Sequence, residues 1–278
     1  MDKRRMCPNC RAFITSDDKT CPYCEFEVGA KAVERRSPSD ALGGLIPHAR
    51  FTTIILLLIN SGLYAATALY SMRASDSGSL LDVDGKTLFF FGAKLREAIF
   101  EGQWWRLITA GFLHGGVFHI LMNSWVIFDL GATVEEFYGT SRYLVLYFLS
   151  TIAGFLLSTY WSAGLSVGAS AALFGLIGAM IALGMQTQSS MGAAMKSHYT
   201  QWAIWGLVLN FLPGFRIDIA AHIGGLAAGF LAGYVMGTPR IIDDWREKIW
   251  QVAAGVCIGI TLLAFSLMLR FLAQSSSL

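Results

Sequence analysis

Charge is what this sequence has least of. Asp, Glu, Lys and Arg make up 14% of its 278 residues, where soluble domains average about 25%. From Tyr143 to Met195 there is none at all. With 54% hydrophobic residues and a mean hydropathy of +0.52, that scarcity excludes a soluble globular chain and a disordered one. It also excludes a coiled coil, which needs charged flanks. Proline is scarce too, at six residues, which excludes a collagen; five cysteines are too few for a secreted disulfide scaffold. No cleavable signal pattern is present, because the first apolar run begins only after residue 50. A net charge of +2 and a pI near 8.3 are too mild to imply a nucleic-acid partner.

The few charges are unevenly placed: 16 of the 40 fall in the first 50 residues. The pattern is that of a polytopic all-α membrane protein with a small polar module at its N-terminus. Four of the five cysteines lie in that module, as Cys7-Pro-Asn-Cys10 and Cys21-Pro-Tyr-Cys24. Each C-P-x-C can form a knuckle that aims two thiolates at one point. Two knuckles close a four-sulfur tetrahedron suited to structural Zn²⁺, with no open position for water. Two disulfides would need an oxidising compartment, and a redox CxxC would sit in a βαβ pattern that is missing here. No cofactor is expected for catalysis. Cys257, alone in an apolar run, reads as a packing residue.

Residues 29–50 mix Lys, Arg, Ser, Pro and Gly and read as a linker. A hydrocarbon core of about 30 Å needs roughly 20 helical residues. Candidate spans are 51–72, 116–136, 142–162, 169–186, 199–214, 218–237 and 250–272. The division expected is a zinc ribbon over 1–28, the linker over 29–50, a six-helix core over 51–237 and an extra helix within 238–278. With the N-terminus inside, the inner segments carry 14 Lys and Arg and the outer ones 7, the bias expected of a cytoplasmic N-terminus. Spans two, four and six then enter from the outer face.

Those three spans carry polar residues near their entry points. Span two has His119 and Asn123, span four Ser170, and span six Asp218 and His222. At 1.5 Å per residue they share a depth, and polar groups there face a bundle interior or a watery cavity. A serine needs a base within reach, and histidine is the usual one. At a helix N-terminus the serine also has free N–H groups beside it for a developing oxyanion. Asn123 and His119 could add side-chain donors. Gly225, Gly229 and Gly233 recur every fourth residue, the spacing that lets helices pack closely in lipid; this would bring span six and His222 against span four.

Trp105-Arg106, His114, His119-x-x-x-Asn123, Gly168-x-Ser170 and Ala221-His222-x-x-Gly225, in that order, resemble the rhomboid family of intramembrane serine proteases. The resemblance covers residues 51–237 and implies a six-helix core, with span seven as the added helix of a 6+1 form. It implies Ser170 as nucleophile, His222 as general base, and an oxyanion site from Asn123, His119 and the Ser170 N–H. It places an aromatic ring, Phe174, on the histidine, Trp105 and Arg106 in a structured loop, and Glu135 at the close of span two. His114 is given a supporting polar role. One position departs: the family pattern is GxSG, and Ala171 stands where the second glycine would be. The zinc ribbon lies outside the resemblance.

Each residue also has a plainer reading. A membrane serine commonly bonds its own backbone, and a lone histidine can relay protons. Asp218 reads as a cap or solvated group rather than a triad acid. Asp129 is expected to face the protein. His48 and His198 read as solvated. The function expected is hydrolysis of peptide bonds in transmembrane substrates near the external face. The other partners expected are the lipid bilayer and a cytosolic protein docking on the ribbon. The compartment expected is a bacterial plasma membrane. A non-proteolytic adaptor that binds membrane helices is the alternative, resting on Ala171. A transporter would call for carboxylates along a pathway, and the uncharged stretch argues against one.

Overall fold

The computed structural model describes residues 4–10, 12–15, 18–28, 51–74, 79–209, 217–239 and 244–275. The expected linker with His48, the far end of span five and Arg240 lie outside the described residues. In the polar module, β1 (Arg4–Met6) pairs antiparallel with β2 (Phe13–Thr15), Arg4 opposite Thr15. The first cysteine knuckle forms the turn between them. A bridge between Thr20 and Glu27 closes the second.

The rest is helical. The apolar runs lack the proline and charge that would stop a helix, and they become α1 (Phe51–Ala74), α5 (Val117–Val126), α6 (Ala132–Trp161), α7 (Ser170–Gln186), α8 (Ser190–Val208), α9 (Ile219–Met236) and α10 (Asp244–Ser275). Between α1 and α5 lie the short helices α2 (Gly85–Phe90), α3 (Arg96–Phe100) and α4 (Arg106–Thr109), followed by a tighter turn over Ala110–Phe112. Four stretches among the described residues are long and apolar enough to cross a membrane: Phe51–Arg73, Val117–Trp161, Ile219–Met236 and Trp245–Ser275. The chain is an integral membrane protein.

Expected spans two and three form the 45-residue stretch Val117–Trp161, about twice the length a bilayer needs. A π-turn over Ile127–Gly131 joins α5 to α6. The break between the spans comes at Gly139, with φ 75° and ψ 160°, a conformation that a side chain would resist. The chain reverses there. His119, before the break, and Gly154, after it, both lie at the start of α7, whereas Tyr138 donates its hydroxyl proton to the Ala179 carbonyl further along α7 (2.8 Å).

Span five differs from expectation. The span expected over 199–214 overlaps α8, which begins nine residues earlier, where Ser189 caps it by accepting the Gly192 N–H (3.1 Å). Lys196, Ser197 and His198 interrupt the apolar run and hid that start. Neither α8 nor the 17-residue α7 is among the four long apolar stretches.

At the centre of the bundle is α7, with 13 of its 17 residues buried. Only small side chains allow that crowding. A side chain at Gly225, Gly229 or Gly233 would run into Ala171, Gly175 or Ala179 respectively. The paired rows advance together, so α7 and α9 are parallel and touch backbone to backbone. Gly154 of α6 meets both Ala221 of α9 and Ala171 of α7, so α6, α7 and α9 converge at one level. The added helix α10 packs at one end through Phe271 against Trp105, and through Phe265 against Phe112. At the other end Arg142 donates two hydrogen bonds to the Glu247 carboxylate (2.7 and 2.8 Å).

The loop before α5 is built around one buried cation. Arg106 is fully buried. It donates to the carbonyls of Phe89 (2.7 Å) and Ala93 (2.9 Å) and to the Gln103 side chain (2.7 Å), under the rings of Phe89, Trp105 and Phe271. Burial pushes its guanidinium down to about 10, still well above neutral, so the cation stays charged and holds the loop together.

Candidate active site

Ser170 is the first residue of α7. The residue before it, Ala169, has helical backbone angles, and no side chain caps the helix among the described residues. Among those residues, the first-turn N–H groups next to Ser170 have no side-chain partner. Gly168 has φ 133°, and a Cβ there would lie 2.7 Å from His119 Nε2 and 3.4 Å from Ser170 Oγ. Glycine is needed twice over, for the backbone angle and for the space. The same numbers show that His119 Nε2 and Ser170 Oγ face one small volume.

The segment leading into Ser170 is tied down on one side. Lys94 and Ser166 exchange backbone hydrogen bonds (2.9 and 3.0 Å), and the Gly168 N–H donates to the Ala110 carbonyl (2.9 Å). The Lys94 side chain, fully buried, donates to the carbonyls of Ser162 (2.6 Å) and Gly164 (3.1 Å).

His222 sits in the first turn of α9. Asp218 caps that helix by accepting the Ala221 N–H (3.0 Å), and its other oxygen accepts the Ser158 hydroxyl. The His222 ring lies flat on Phe174, with centroids 4.0 Å apart and 18° between planes. Phe174 is one turn beyond Ser170, so the stack sets His222 against the first turn of α7. On α8, Gly206 leaves room for the Phe174 ring: a Cβ there would come within 2.6 Å of it. His222 Nδ1 is buried and has no hydrogen-bond partner among the described residues. No hydrogen bond joins Ser170 to His222 among the described residues; such bonds are often long before substrate arrives.

His119 follows the start of α5 and packs edge-on against His114, with centroids 5.1 Å apart. His114 is fully buried, and neither of its ring nitrogens finds a partner among the described residues. Asn123 turns one amide hydrogen back to the His119 carbonyl (2.8 Å), which leaves its second N–H for a ligand. Its Oδ1 is buried without a partner among the described residues. Ser170, His222, His119, His114 and Asn123 therefore gather at one end of the bundle, most of them with polar atoms unspent.

Glu135 is at the opposite end. It accepts the N–H (3.2 Å) and hydroxyl (3.0 Å) of Thr53 and the Thr140 hydroxyl (2.9 Å), joining α1 to the turn at Gly139. Asp129 departs from expectation: it is exposed on the π-turn rather than facing the protein, because the 3.6-residue face pattern does not hold inside the wider turn. The Ala171 methyl group occupies the space left by the missing side chain of Gly154. Sequence reasoning missed Gly154, Gly206, Ser158 and the buried role of Lys94. Of these, only Gly154 and Gly206 had a signal, as glycines one turn from other small residues in apolar helices.

In the polar module, Cys7, Cys10, Cys21 and Cys24 are free thiols whose Sγ atoms all lie within 4.8 Å of one another. Cys7 is 3.7 Å from Cys24, and Cys10 is 3.6 Å from Cys21. A tetrahedral ion with 2.3 Å bonds to sulfur separates its ligands by about 3.8 Å, so the cluster fits a metal ion. Burial raises the Cys7 thiol, but the N–H groups of Cys10 and Asn9 and the facing thiols outweigh it and lower it to about 6.

Residues 101–239 match the rhomboid domain profile. The chain is 34% identical over 193 residues to the rhomboid protease GluP of Bacillus subtilis, covering 68% of this chain but only 38% of that protein. It is 34% identical over 190 residues to the rhomboid-like protease 3 of Toxoplasma gondii, covering 66% of this chain and 72% of the relative. Against the rhomboid-like protease 1 of the same organism it is 32% identical over 262 residues, with 88% and 86% covered. The helices that bring Ser170 and His222 together lie inside the residues that match the rhomboid domain, and the chain belongs to the rhomboid family.

Proposed function

We propose that this chain is an intramembrane serine endopeptidase that cleaves transmembrane protein substrates with Ser170 and His222 as a dyad. The observation that carries this reading is the Phe174 ring, one turn beyond Ser170 and flat against His222, because it holds a base beside a serine at an uncapped helix start. Ser170 Oγ attacks the scissile carbonyl carbon while His222 takes its proton. The resulting oxyanion is received by the first-turn N–H groups of α7, with His119 and the free amide hydrogen of Asn123 as further donors. His222 then protonates the leaving amine, and water hydrolyses the acyl-enzyme by the same route. The substrate must present an unwound segment, since a helical amide is shielded by its own hydrogen bonds. His114, edge-on to His119, fixes that ring's direction.

The Lys and Arg distribution supports a cytoplasmic N-terminus, with the Ser170 end facing outward and a bacterial plasma membrane as the compartment. On this reading, residues 1–28 are a structural Zn²⁺ ribbon, 29–50 its tether, 51–237 the six-helix core and 238–278 carry the added helix. The ribbon serves as a docking module for a cytosolic protein. The space beside Gly154 accommodates the Ala171 methyl group, which leaves the adaptor alternative without a structural observation of its own.

The test is fluorophosphonate labelling of the purified protein, with Ser170→Ala and His222→Ala as controls. Labelling that requires both residues is expected. A folded protein that stays unlabelled, or that labels equally without His222, would overturn the reading.

A further inference from the structure

Both halves of the proposed dyad are fastened to the same post, the last two turns of α6. The segment that leads into Ser170 leaves α6 at Ser162, and the buried Lys94 ammonium binds the first carbonyls of that segment, those of Ser162 and Gly164. Beside it, Arg96 binds the last carbonyls of α6, from Thr159 (2.7 Å) and Tyr160 (2.8 Å). Cations at a helix C-terminus are favoured by its dipole, so this clamp is strongest where the helix ends. The helix that carries His222 is fastened to the same place from the other side. Asp218 caps α9 and accepts the hydroxyl of Ser158, which is fully buried on α6.

We infer that Lys94 and Asp218 are positioning residues, which hold Ser170 and His222 in register by tying each to the end of α6. The inference rests on the dyad reading above. Neither side chain touches the serine or the histidine. Asp218 acts one helical turn before His222, and Lys94 acts on the segment that ends at Gly168. The two are also linked electrically: burial pushes the Lys94 ammonium below its ordinary range, and the Asp218 carboxylate opposes that shift. Small displacements matter, because a misplacement of about 1 Å costs on the order of a hundredfold in rate.

The experiment is fluorophosphonate labelling kinetics on the full chain in detergent, separating the limiting rate from probe affinity and counting only protein with an intact thermal transition. Asp218→Ala is expected to lower the limiting rate by about tenfold to a hundredfold with probe affinity unchanged. Asp218→Asn should recover most of that loss, since its Oδ1 still accepts the Ala221 N–H and its amide can donate to Ser158. Ser158→Ala leaves the cap and the charge in place and should fall between the two, which keeps the test open if Asp218→Ala does not fold. Lys94→Met should lower the limiting rate in the same way. Unchanged limiting rates in folded Asp218→Ala and Lys94→Met would overturn the inference, as would a loss confined to probe affinity. Ser170→Ala is run in parallel. If it still labels, the dyad reading has failed; if it does not label while the other variants behave like the parent, only the positioning inference has failed.

Discussion

The ring of Phe174 lies 4.0 Å from that of His222, nearly parallel to it, and its tip fits against the bare backbone of Gly206. The imidazole therefore cannot tilt without moving a buried ring. Aromatic contacts of this kind contribute roughly 0.5–1.5 kcal/mol beyond area burial. Phe174→Leu keeps the bulk but loses the flat face, and should lower the fluorophosphonate labelling rate by up to about tenfold. A rate equal to that of the parent in a folded variant would show that the stack does not orient the base.

The parallel contact of α7 and α9 makes a second prediction. Gly225→Ala puts a methyl group into the Ala171 backbone, whereas Gly259→Ala on α10 meets nothing within 4 Å. Overpacking costs typically 1–3 kcal/mol, a drop in Tm of roughly 2–10 °C for a chain of this size. The α10 variant should unfold at the parent temperature or slightly above it, since alanine is the better helix former. Thermal unfolding in one detergent decides the matter, and equal transitions for the two variants would contradict the close contact.

Polar residues are rare enough in apolar runs that Ser170, His119, Asn123 and His222 stood out, and the four-residue glycine period of α9 announced its partner. The other half of that contact was hidden, because Ala171, Gly175 and Ala179 look ordinary in a membrane helix. Lys94 was hidden for a different reason. A lysine in a loop reads as solvated, and only the fold reveals that its ammonium meets the carbonyls where α6 ends. The start of α8 was lost because a capped polar turn at Ser189 carries no hydropathy signal. Asp129 sits inside the π-turn, where the 3.6-residue face pattern used to place it does not hold.

Gly168 and Gly102 separate backbone strain from crowding. Both have positive φ, 133° and 97°, but a Cβ at Gly102 meets nothing within 4 Å, whereas one at Gly168 meets His119. Gly102→Ala should destabilise by about 1 kcal/mol, the cost of a left-handed alanine, and leave labelling of Ser170 unchanged. Gly168→Ala is strained at least as much and also displaces His119, so its labelling should fall by at least about tenfold. Similar labelling in both variants would mean that His119 Nε2 does not share the space of Ser170 Oγ.

The ribbon makes a prediction that is independent of the serine. Four thiols in one tetrahedral cluster bind a metal only as thiolates, so protons compete with it. Cys7, lowered to about 6, keeps its thiolate charge well below the usual thiol range and loses it only as pH falls through about 6. Elemental analysis should find one zinc per chain at pH 8, and release to a chelator should quicken as pH is lowered from 8 to 6. Cys24→Ser should weaken retention by removing one of the four ligands. Metal retention that is independent of pH, or thiol counts that reveal two disulfides, would refute a thiolate site. Fluorophosphonate labelling of Ser170 should survive both the chelator and deletion of residues 1–40, because none of the residues gathered around Ser170 belongs to the ribbon.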